Sequence, residues 1–297
     1  MADDRPIVAV LGASGAQGSS VVRALQDQGK FQIRALTRSP DAYAGPALEV
    51  VGADLKDPAS LQAAFDGAHG VFAVTNFWEP GADEVSQGRN AVEAAAKAGV
   101  EHYVWSTLPD VEALSNGRYD VAHFTSKGKV DQFVREAGFP AYTFVEPPFY
   151  FENLIQNMPP QPLPDGRTGW AFPLAADERV VHMGSVEDVG SVVAGALANA
   201  ELVGSGSYLS SAAALMSFGD VVETLNAQGH SLALLQVPDD VFAGFFPGAA
   251  EIAQMMGYWR EFTYLGPTGD EAIALARKVS TSAPTDFATW ARQHMPA

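Results

Sequence analysis

Residues 7–18 read Ile-Val-Ala-Val-Leu-Gly-Ala-Ser-Gly-Ala-Gln-Gly, an apolar run followed directly by a turn with three glycines. The run Ile7–Leu11 has the length and composition of a buried strand, and a helical pattern follows from about Ala16 to Gln28 and closes at Gly29. Glycines between a strand and a helix let the chain turn tightly and bring backbone N–H groups close to a pyrophosphate. The positive end of the helix dipole adds attraction for an anion. This segment therefore predicts a dinucleotide-binding strand-turn-helix unit.

The same alternation continues through the first half of the chain. Further strand-length apolar segments lie at 31–37, 48–51, 70–75, 102–106 and 142–145, and helical patterns lie at 58–65, 83–98 and 120–137. Strands that alternate with helices of about ten or more residues predict a parallel sheet with helices on both faces. We therefore predict an α/β fold, a Rossmann-type doubly wound parallel sheet.

A proline-rich stretch changes this pattern after Glu146. Pro147 and Pro148 open a segment that holds four further prolines up to Pro164. This stretch is too rich in proline to continue the alternation of strands and helices, because proline removes a backbone donor. We therefore predict a boundary between two lobes at this point.

The chain returns to the sheet after the proline-rich segment. Residues 185–188 have the spacing of a helix capping box before a helix at 189–200, and 208–211 fits a strand that rejoins the sheet. Beyond residue 216 the pattern is mostly helical. We assign 1–150 and 185–212 to a Rossmann domain that binds the dinucleotide, and 151–184 and 213–297 to a smaller C-terminal domain for a substrate or a partner.

The end of the second predicted strand indicates which dinucleotide is bound. About 20 residues beyond the glycine turn, where NAD-binding proteins carry an acid, the sequence reads Thr37-Arg38-Ser39. A carboxylate there would repel a 2′-phosphate, whereas a guanidinium grips it through forked, charge-assisted hydrogen bonds. Arg38 therefore predicts NADP(H) as the cofactor in preference to NAD(H).

Charge and composition exclude several classes of protein. The 297-residue chain has 18 basic and 35 acidic residues, and its formal net charge of −17 would repel a nucleic-acid backbone. It has no cysteine, which excludes disulfides, thiolate catalysis and cysteine-ligated metals. No two of its six histidines have the helical spacing of a metal site. We expect no direct nucleic-acid binding and no metal, and any redox chemistry must come from a cofactor.

The sequence has no recognisable targeting segment. Its amino terminus is acidic and lacks the basic and apolar regions of a secretory signal. No window approaches the roughly 20 uninterrupted apolar residues of a membrane helix. We expect a cytoplasmic protein that does not bind membranes.

Five segments together carry a resemblance to a known family. They are the glycine turn, Leu-Thr-Arg-Ser-Pro (36–40), Val-Thr-Asn-Phe-Trp-Glu (74–79), Ala-His-Phe-Thr-Ser-Lys-Gly (122–128) and Phe-Tyr-Phe-Glu-Asn-Leu (149–154). In these segments the chain resembles the NmrA-like family, atypical members of the short-chain dehydrogenase/reductase superfamily, and especially its NADPH-sensing branch. The resemblance spans both lobes. It implies an NADP-bound Rossmann lobe, a smaller second lobe and a regulatory role that depends on cofactor occupancy.

The resemblance also implies which residues contact the cofactor. They are Gly12, Ser14, Gly15, Ala16, Gln17 and Gly18 at the pyrophosphate, Arg38 at the 2′-phosphate, Asp54 and Leu55 near the adenine, Thr75, Asn76 and Phe77 along the path to the nicotinamide ribose, Lys127 at the ribose hydroxyls, and Pro147, Tyr150 and Asn153 over the nicotinamide.

The proton donor of standard reductases in this superfamily is missing. Those enzymes use a Tyr-x-x-x-Lys pair on one helix face, where the lysine lowers the pKa of the phenol so that it can donate a proton to the substrate. Here His123 stands four residues before Lys127, and no tyrosine in the chain is followed four residues later by lysine.

Two functions from different classes remain open. In the first, Lys127 only positions the cofactor, and the protein is a redox sensor whose binding to another protein depends on NADPH. In the second, His123 replaces the phenol as general acid beside Lys127, and the protein reduces a small carbonyl or quinone-like substrate with NADPH. Ser106 and Thr107 support the second, since they stand where the superfamily keeps a substrate-orienting hydroxyl. Our expectation favours the sensor, with the NADPH-dependent oxidoreductase as the alternative.

Overall fold

The computed structural model describes residues 4–297, and the chain folds around parallel strands. The strands are β1 (Ile7–Leu11), β2 (Gln32–Thr37), β3 (Glu49–Gly52), β4 (Gly70–Ala73), β5 (His102–Ser106), β6 (Ala141–Glu146), β7 (Phe149–Tyr150), β8 (Gln161–Pro162), β9 (Thr168–Phe172), β10 (Val181–Gly184), β11 (Ser205–Ser210), β12 (Ala214–Met216) and β13 (Leu232–Gln236). Seven of them form one sheet in the order β11-β6-β5-β4-β1-β2-β3, and every neighbouring pair is parallel. This confirms the predicted α/β, doubly wound architecture.

The helices lie between the strands and beyond them. They are α1 (Ala16–Gln28), α2 (Pro58–Phe65), α3 (Glu84–Lys97), α4 (Val111–Leu114), α5 (Ala122–Glu136), α6 (Asn153–Gln156), α7 (Glu187–Ala198), α8 (Ala200–Val203), α9 (Phe218–Ala227), α10 (Asp239–Phe242), α11 (Ala249–Phe262), α12 (Gly269–Val279) and α13 (Phe287–His294), with a 3₁₀ turn at Pro40–Ala42. Among the described residues, no helix is both long enough and apolar enough to cross a membrane.

Both faces of the large sheet are buried along its central strands, as the unbroken apolar strands predict. Along β1, Val8 and Val10 pack into a cluster with residues of α1 and α7, whereas Ala9 and Leu11 pack into a cluster with residues of α2, α3 and α5. Successive side chains of a strand point to opposite faces, so a strand covered on both sides must be apolar throughout. The sheet is therefore held rigidly, and its carboxyl-terminal edge provides a fixed platform for a site.

Two three-stranded sheets and the later helices lie mainly in the C-terminal part of the chain. The orders of these sheets are β12-β10-β7 and β13-β9-β8. The aromatic residues Phe242, Tyr258, Trp259 and Tyr264 are buried together in one hydrophobic cluster. The division into two discontinuous domains remains a prediction about how the chain is organised.

One local detail of the sequence interpretation is wrong. The capping box at 185–188 is not formed, because α7 begins at Glu187 and the residue at its N-cap is Val186. The Ser185 hydroxyl instead donates to Glu152 at 2.7 Å and accepts from the Glu187 amide at 3.2 Å. The strand expected at 208–211 is present as β11, which pairs with β6.

Candidate functional site

A cleft of about 500 Å³ opens at the carboxyl ends of β1, β2 and β4, and is called here the strand-end cleft. In the large sheet β1 lies between β2 and β4. The chain continues from β1 to β2 and β3 on one side of β1, and then crosses to β4 on its other side, so the direction of the strand order reverses at β1. Ligands of open α/β sheets bind at such a point, outside the carboxyl ends of the strands. The lining residues that the sequence predicted for a cofactor are Gly12, Ser14, Gly15, Ala16, Gln17, Gly18, Arg38, Asp54, Leu55, Thr75, Asn76 and Tyr150.

Four predicted cofactor residues are not part of this lining. They are Phe77, Lys127, Pro147 and Asn153, and the candidate general acid His123 is also outside it. The lining also contains Glu79, which ends the quoted segment 74–79 but was assigned no role from the sequence. Tyr43 and Gln87 line the cleft as well and lie outside the quoted segments, so only the fold brings them there.

The glycine turn has the conformation that its sequence predicts. Gly12 adopts φ +70°, a left-handed conformation that side chains disfavour, and the Gly15 amide bonds the Gly12 carbonyl at 2.9 Å. The Ala13 amide donates to the Leu36 carbonyl at 3.1 Å, which ties the turn to β2. At Gly18 a Cβ atom would lie only 2.1 Å from the Gly12 carbonyl oxygen. Glycine is therefore required for α1 to start so close to β1.

The amino terminus of α1 is open toward the cleft. Gly15 is the N-cap, and within residues 4–297 no side chain caps this terminus and its first turn has no acidic residue. The first amides of a helix have no intrahelical partner, and the helix dipole makes this end positive. The turn can therefore bind a diphosphate through backbone N–H groups despite the acidic protein around it.

Arg38 lies at the same cleft, where β2 ends. Its side chain is 61% exposed and forms an ion pair with Glu79, another lining residue. Nearby, the Thr37 hydroxyl accepts a hydrogen bond from the Ser39 amide at 3.3 Å and lies 3.5 Å from the Ser14 hydroxyl. A cation is thus presented at the strand end where NADP-binding proteins hold a 2′-phosphate.

Asp54 and Leu55 lie in the loop after β3 and help to shape the cleft. An Asp54 carboxylate oxygen accepts a hydrogen bond from the Lys56 amide at 2.9 Å, and the Asp54 amide donates to the Ser60 hydroxyl at 3.1 Å. The Asn90 side chain donates to the Leu55 carbonyl at 2.9 Å. These bonds fix the loop from both sides, so this wall of the cleft is preorganised.

Lys127 is buried beneath the cleft and fully engaged with its neighbours. Its Nζ donates to the Thr75 carbonyl at 2.9 Å, to the Thr75 hydroxyl at 3.0 Å and to the Glu84 carboxylate at 2.7 Å. Burial lowers the pKa of Lys127, and the Glu84 carboxylate opposes this shift. The Thr75 hydroxyl in turn donates to Glu84 at 2.6 Å. Thr75 lines the cleft, so Lys127 helps to position a residue of the cleft wall through its hydrogen bonds to Thr75.

His123 is hydrogen-bonded to helix α11. Its Nδ1 lies 2.6 Å from a carboxylate oxygen of Glu251 on α11, and its backbone amide donates to the same oxygen at 3.1 Å. These hydrogen bonds lower the pKa of Glu251. The rings of Phe77 and Trp78 lie against the imidazole, with centroids 5.8 and 5.1 Å away. The structure therefore engages His123 in a contact between α5 and α11, and His123 is not part of the cleft lining.

Buried hydroxyls lie at the inner end of the cleft. Ser106 donates to the Gln17 side chain at 2.7 Å, and Gln17 and Tyr150 both line the cleft. Burial raises the pKa of Tyr150 well above its ordinary value. Thr107 instead donates to the buried Asp131 at 2.6 Å. Of the two hydroxyls at the end of β5, Ser106 is connected to the cleft, and Thr107 is not.

Comparison with known proteins agrees with this architecture. The model of the NmrA-like family matches residues 4–291. An NmrA-like family domain-containing oxidoreductase from a Cladobotryum species is 35% identical over 220 residues, which are 66% of this chain and 65% of the relative. A similar oxidoreductase from Aspergillus hancockii is 34% identical and is covered to 58%. The chain therefore spans less than two thirds of these relatives. An NmrA-like family domain-containing protein from Dictyostelium discoideum is 27% identical, with 93% of this chain and 94% of the relative covered.

Solved structures show the same fold. NmrA, a negative transcriptional regulator crystallised with NADP, superposes with a TM-score of 0.81 at 22% identity, covering 98% of this chain and 96% of NmrA. An NADPH-dependent quinone oxidoreductase from Escherichia coli superposes with a TM-score of 0.77 at 21% identity, covering 96% of this chain and 99% of the enzyme. The resemblance inferred from the five sequence segments is confirmed at the level of the family.

Proposed function

Starting from the fact that the chain belongs to the NmrA-like family, we propose that it binds NADP(H) in the strand-end cleft and acts as a redox sensor. One observation carries the binding proposal: an uncapped glycine turn and a strand-end arginine line the same cleft. The turn offers backbone N–H groups to the diphosphate, and Arg38 offers a guanidinium to the 2′-phosphate. Two structures of similar fold, one a regulator and one an enzyme, carry NADP or NADPH in their names.

The residues of the cleft suit such a cofactor. Bound NADPH supplies a hydride to an acceptor, and the chain itself has no other redox group. The glycines let the backbone approach a diphosphate, since a Cβ at Gly18 would collide with the turn. Thr75 and Asn76 line the cleft beyond the turn, and the buried Lys127 holds Thr75 from below.

Titration calorimetry with NADPH and NADH tests the binding proposal. NADPH should bind more tightly than NADH, and Arg38→Ala should remove most of that difference because the 2′-phosphate loses its cation. Arg179→Ala is the matched control, since this arginine is also exposed, at 65%, and is also paired with an acid, Asp220. Equal affinities of the parent protein for the two nucleotides would refute the assignment of Arg38.

The sensor role is supported by the state of the two candidate catalytic side chains. The Lys127 ammonium is engaged by Thr75 and Glu84, and the His123 imidazole by Glu251. In the described chain no tyrosine is among the partners of Lys127. A cofactor site in which Lys127 and His123 are both engaged by other residues suits a protein that reports NADPH occupancy to a partner.

An NADPH-dependent oxidoreductase is the second candidate. It is favoured by the relatives named as oxidoreductases and by the buried Ser106 hydroxyl that reaches the cleft through Gln17. Incubation with NADPH and a panel of quinones, aldehydes and enones separates the two functions. Steady consumption of NADPH that is lost in Lys127→Ala would contradict a sensor without turnover. A set of bound proteins that changes between the NADPH-loaded and empty forms would support the sensor.

A further inference from the structure

The Glu79 carboxylate lies where it can compete with a bound nucleotide for the Arg38 guanidinium. Its carboxylate pairs with the Arg38 guanidinium, and both side chains line the strand-end cleft. The Glu79 side chain is 27% exposed, against 61% for Arg38, so the carboxylate is the more enclosed member of the pair. The only cation assigned to a 2′-phosphate in the proposed function is therefore already neutralised by a group of the chain itself.

The backbone around Glu79 holds this carboxylate in position. The Asn76 side chain accepts a hydrogen bond from the Trp78 amide at 3.1 Å, and the Glu79 amide donates to the Asn76 carbonyl at 3.4 Å. The Glu79 carbonyl accepts from the Ala82 amide at 3.0 Å. Two successive turns thus present Glu79 to the cleft, so the pairing is supported by local backbone structure.

From this geometry we propose that Glu79 determines nucleotide specificity, competing with the 2′-phosphate for Arg38 and lowering the preference for NADP(H) over NAD(H). The inference rests on the proposed binding of NADP(H) in the strand-end cleft. NADH carries a 2′-hydroxyl and leaves the Arg38–Glu79 pair intact. NADPH must break the pair and then bring its phosphate close to the displaced carboxylate.

The size of the effect follows from the exposure of the pair. Breaking an exposed ion pair changes an equilibrium constant by about two- to fivefold. Repulsion between the freed carboxylate and the phosphate acts in the same direction and is of similar size. Removing the Glu79 charge should therefore strengthen NADPH binding by about four- to twenty-five-fold and change NADH binding by less than about twofold.

The test measures dissociation constants of NADPH and NADH by calorimetry for the parent, Glu79→Gln and a control. Glu112→Gln is the control because it removes the same charge from another exposed ion pair, with Lys129, outside the lining of the cleft. The proposal requires a higher ratio of NADPH to NADH affinity in Glu79→Gln and an unchanged ratio in Glu112→Gln. An unchanged ratio in Glu79→Gln, or an equal gain for both nucleotides, would overturn it.

A double-mutant cycle tests the mechanism of the competition. In an Arg38→Ala background Glu79→Gln should keep only the part of the gain in NADPH affinity that comes from relieved repulsion, about two- to fivefold, since no pair remains to be broken. Equal gains in both backgrounds would contradict competition for Arg38. If the preference for NADPH depends on Arg38 but not on Glu79, this inference is wrong and the proposed function stands. If the parent protein binds neither nucleotide, both the inference about Glu79 and the proposed function are wrong.

Discussion

Replacement of Gly18 by alanine tests whether the close approach of α1 to β1 is what builds the glycine turn. Alanine is the better helix former by about 1 kcal/mol, so helix propensity alone predicts that Gly18→Ala is stabilising. The new Cβ would however lie 2.1 Å from the Gly12 carbonyl oxygen, 2.6 Å from the Gly12 carbonyl carbon and 2.9 Å from Ala13 Cα. All three are backbone atoms, which cannot rotate away as a flexible side chain can.

The clash exceeds the gain in helix propensity. Overpacking in a close-packed interior costs about 1–3 kcal/mol, and the Gly12 contact requires a shift on the order of 1 Å. We therefore expect Gly18→Ala to lower the free energy of unfolding by about 2 kcal/mol despite its better helix propensity. NADPH affinity should fall by at least about tenfold, since the shifted turn no longer aims its amides at the diphosphate.

Urea denaturation followed by circular dichroism measures the stability, and titration calorimetry measures NADPH binding. Ser19→Ala is the matched control, because it introduces alanine at the next position of α1 and removes only a hydroxyl bonded within its own helix, to the Ala16 carbonyl. Its stability should stay within about 0.5 kcal/mol of the parent. A Gly18→Ala protein that is as stable as the parent and binds NADPH equally well would refute the reasoning.

Two further predictions concern buried charges. Glu84→Gln leaves the buried Lys127 ammonium without its counter-ion, and should lower the free energy of unfolding by about 3 kcal/mol in urea denaturation. The control Glu93→Gln, at an exposed position of the same helix, should not lower it. Equal losses in the two variants would contradict the ion-pair argument. Burial raises the pKa of Asp131 to about 7, so the folded state binds the extra proton and stability should fall as the pH rises from about 4 to 7. Asp131→Asn should flatten that fall in denaturation measured across this range, and an unchanged pH profile would count against it.

The sequence predicted those parts of the molecule that depend on local pattern. The strand Ile7–Leu11 and the helix Ala16–Gln28 have the bounds that hydrophobic pattern and the glycine C-cap indicated. The same holds for His102–Ser106 and Pro58–Phe65. Each of these elements is specified by its own residues, which is why a single sequence was sufficient.

The partners of the site residues were not predictable in this way. Glu84 is 43 residues from Lys127, Glu79 is 41 from Arg38, and Glu251 is 128 from His123. An isolated glutamate has no local signal that distinguishes a solvated surface position from a buried ion pair. The sequence singled out Lys127 and His123 as candidate catalytic residues, and their roles remain predictions. Their engagement depends on contacts that only the folded chain brings together.

The path of the chain between the large sheet and the smaller sheets limits how the protein can be truncated. Strand β6 is followed by β7 to β10 of the smaller sheets, and only then do α7 and β11 complete the large sheet. A truncation after residue 150 would therefore remove an edge strand and a covering helix from the large sheet. No single cut of the polypeptide separates the large sheet from the smaller sheets with every strand retained.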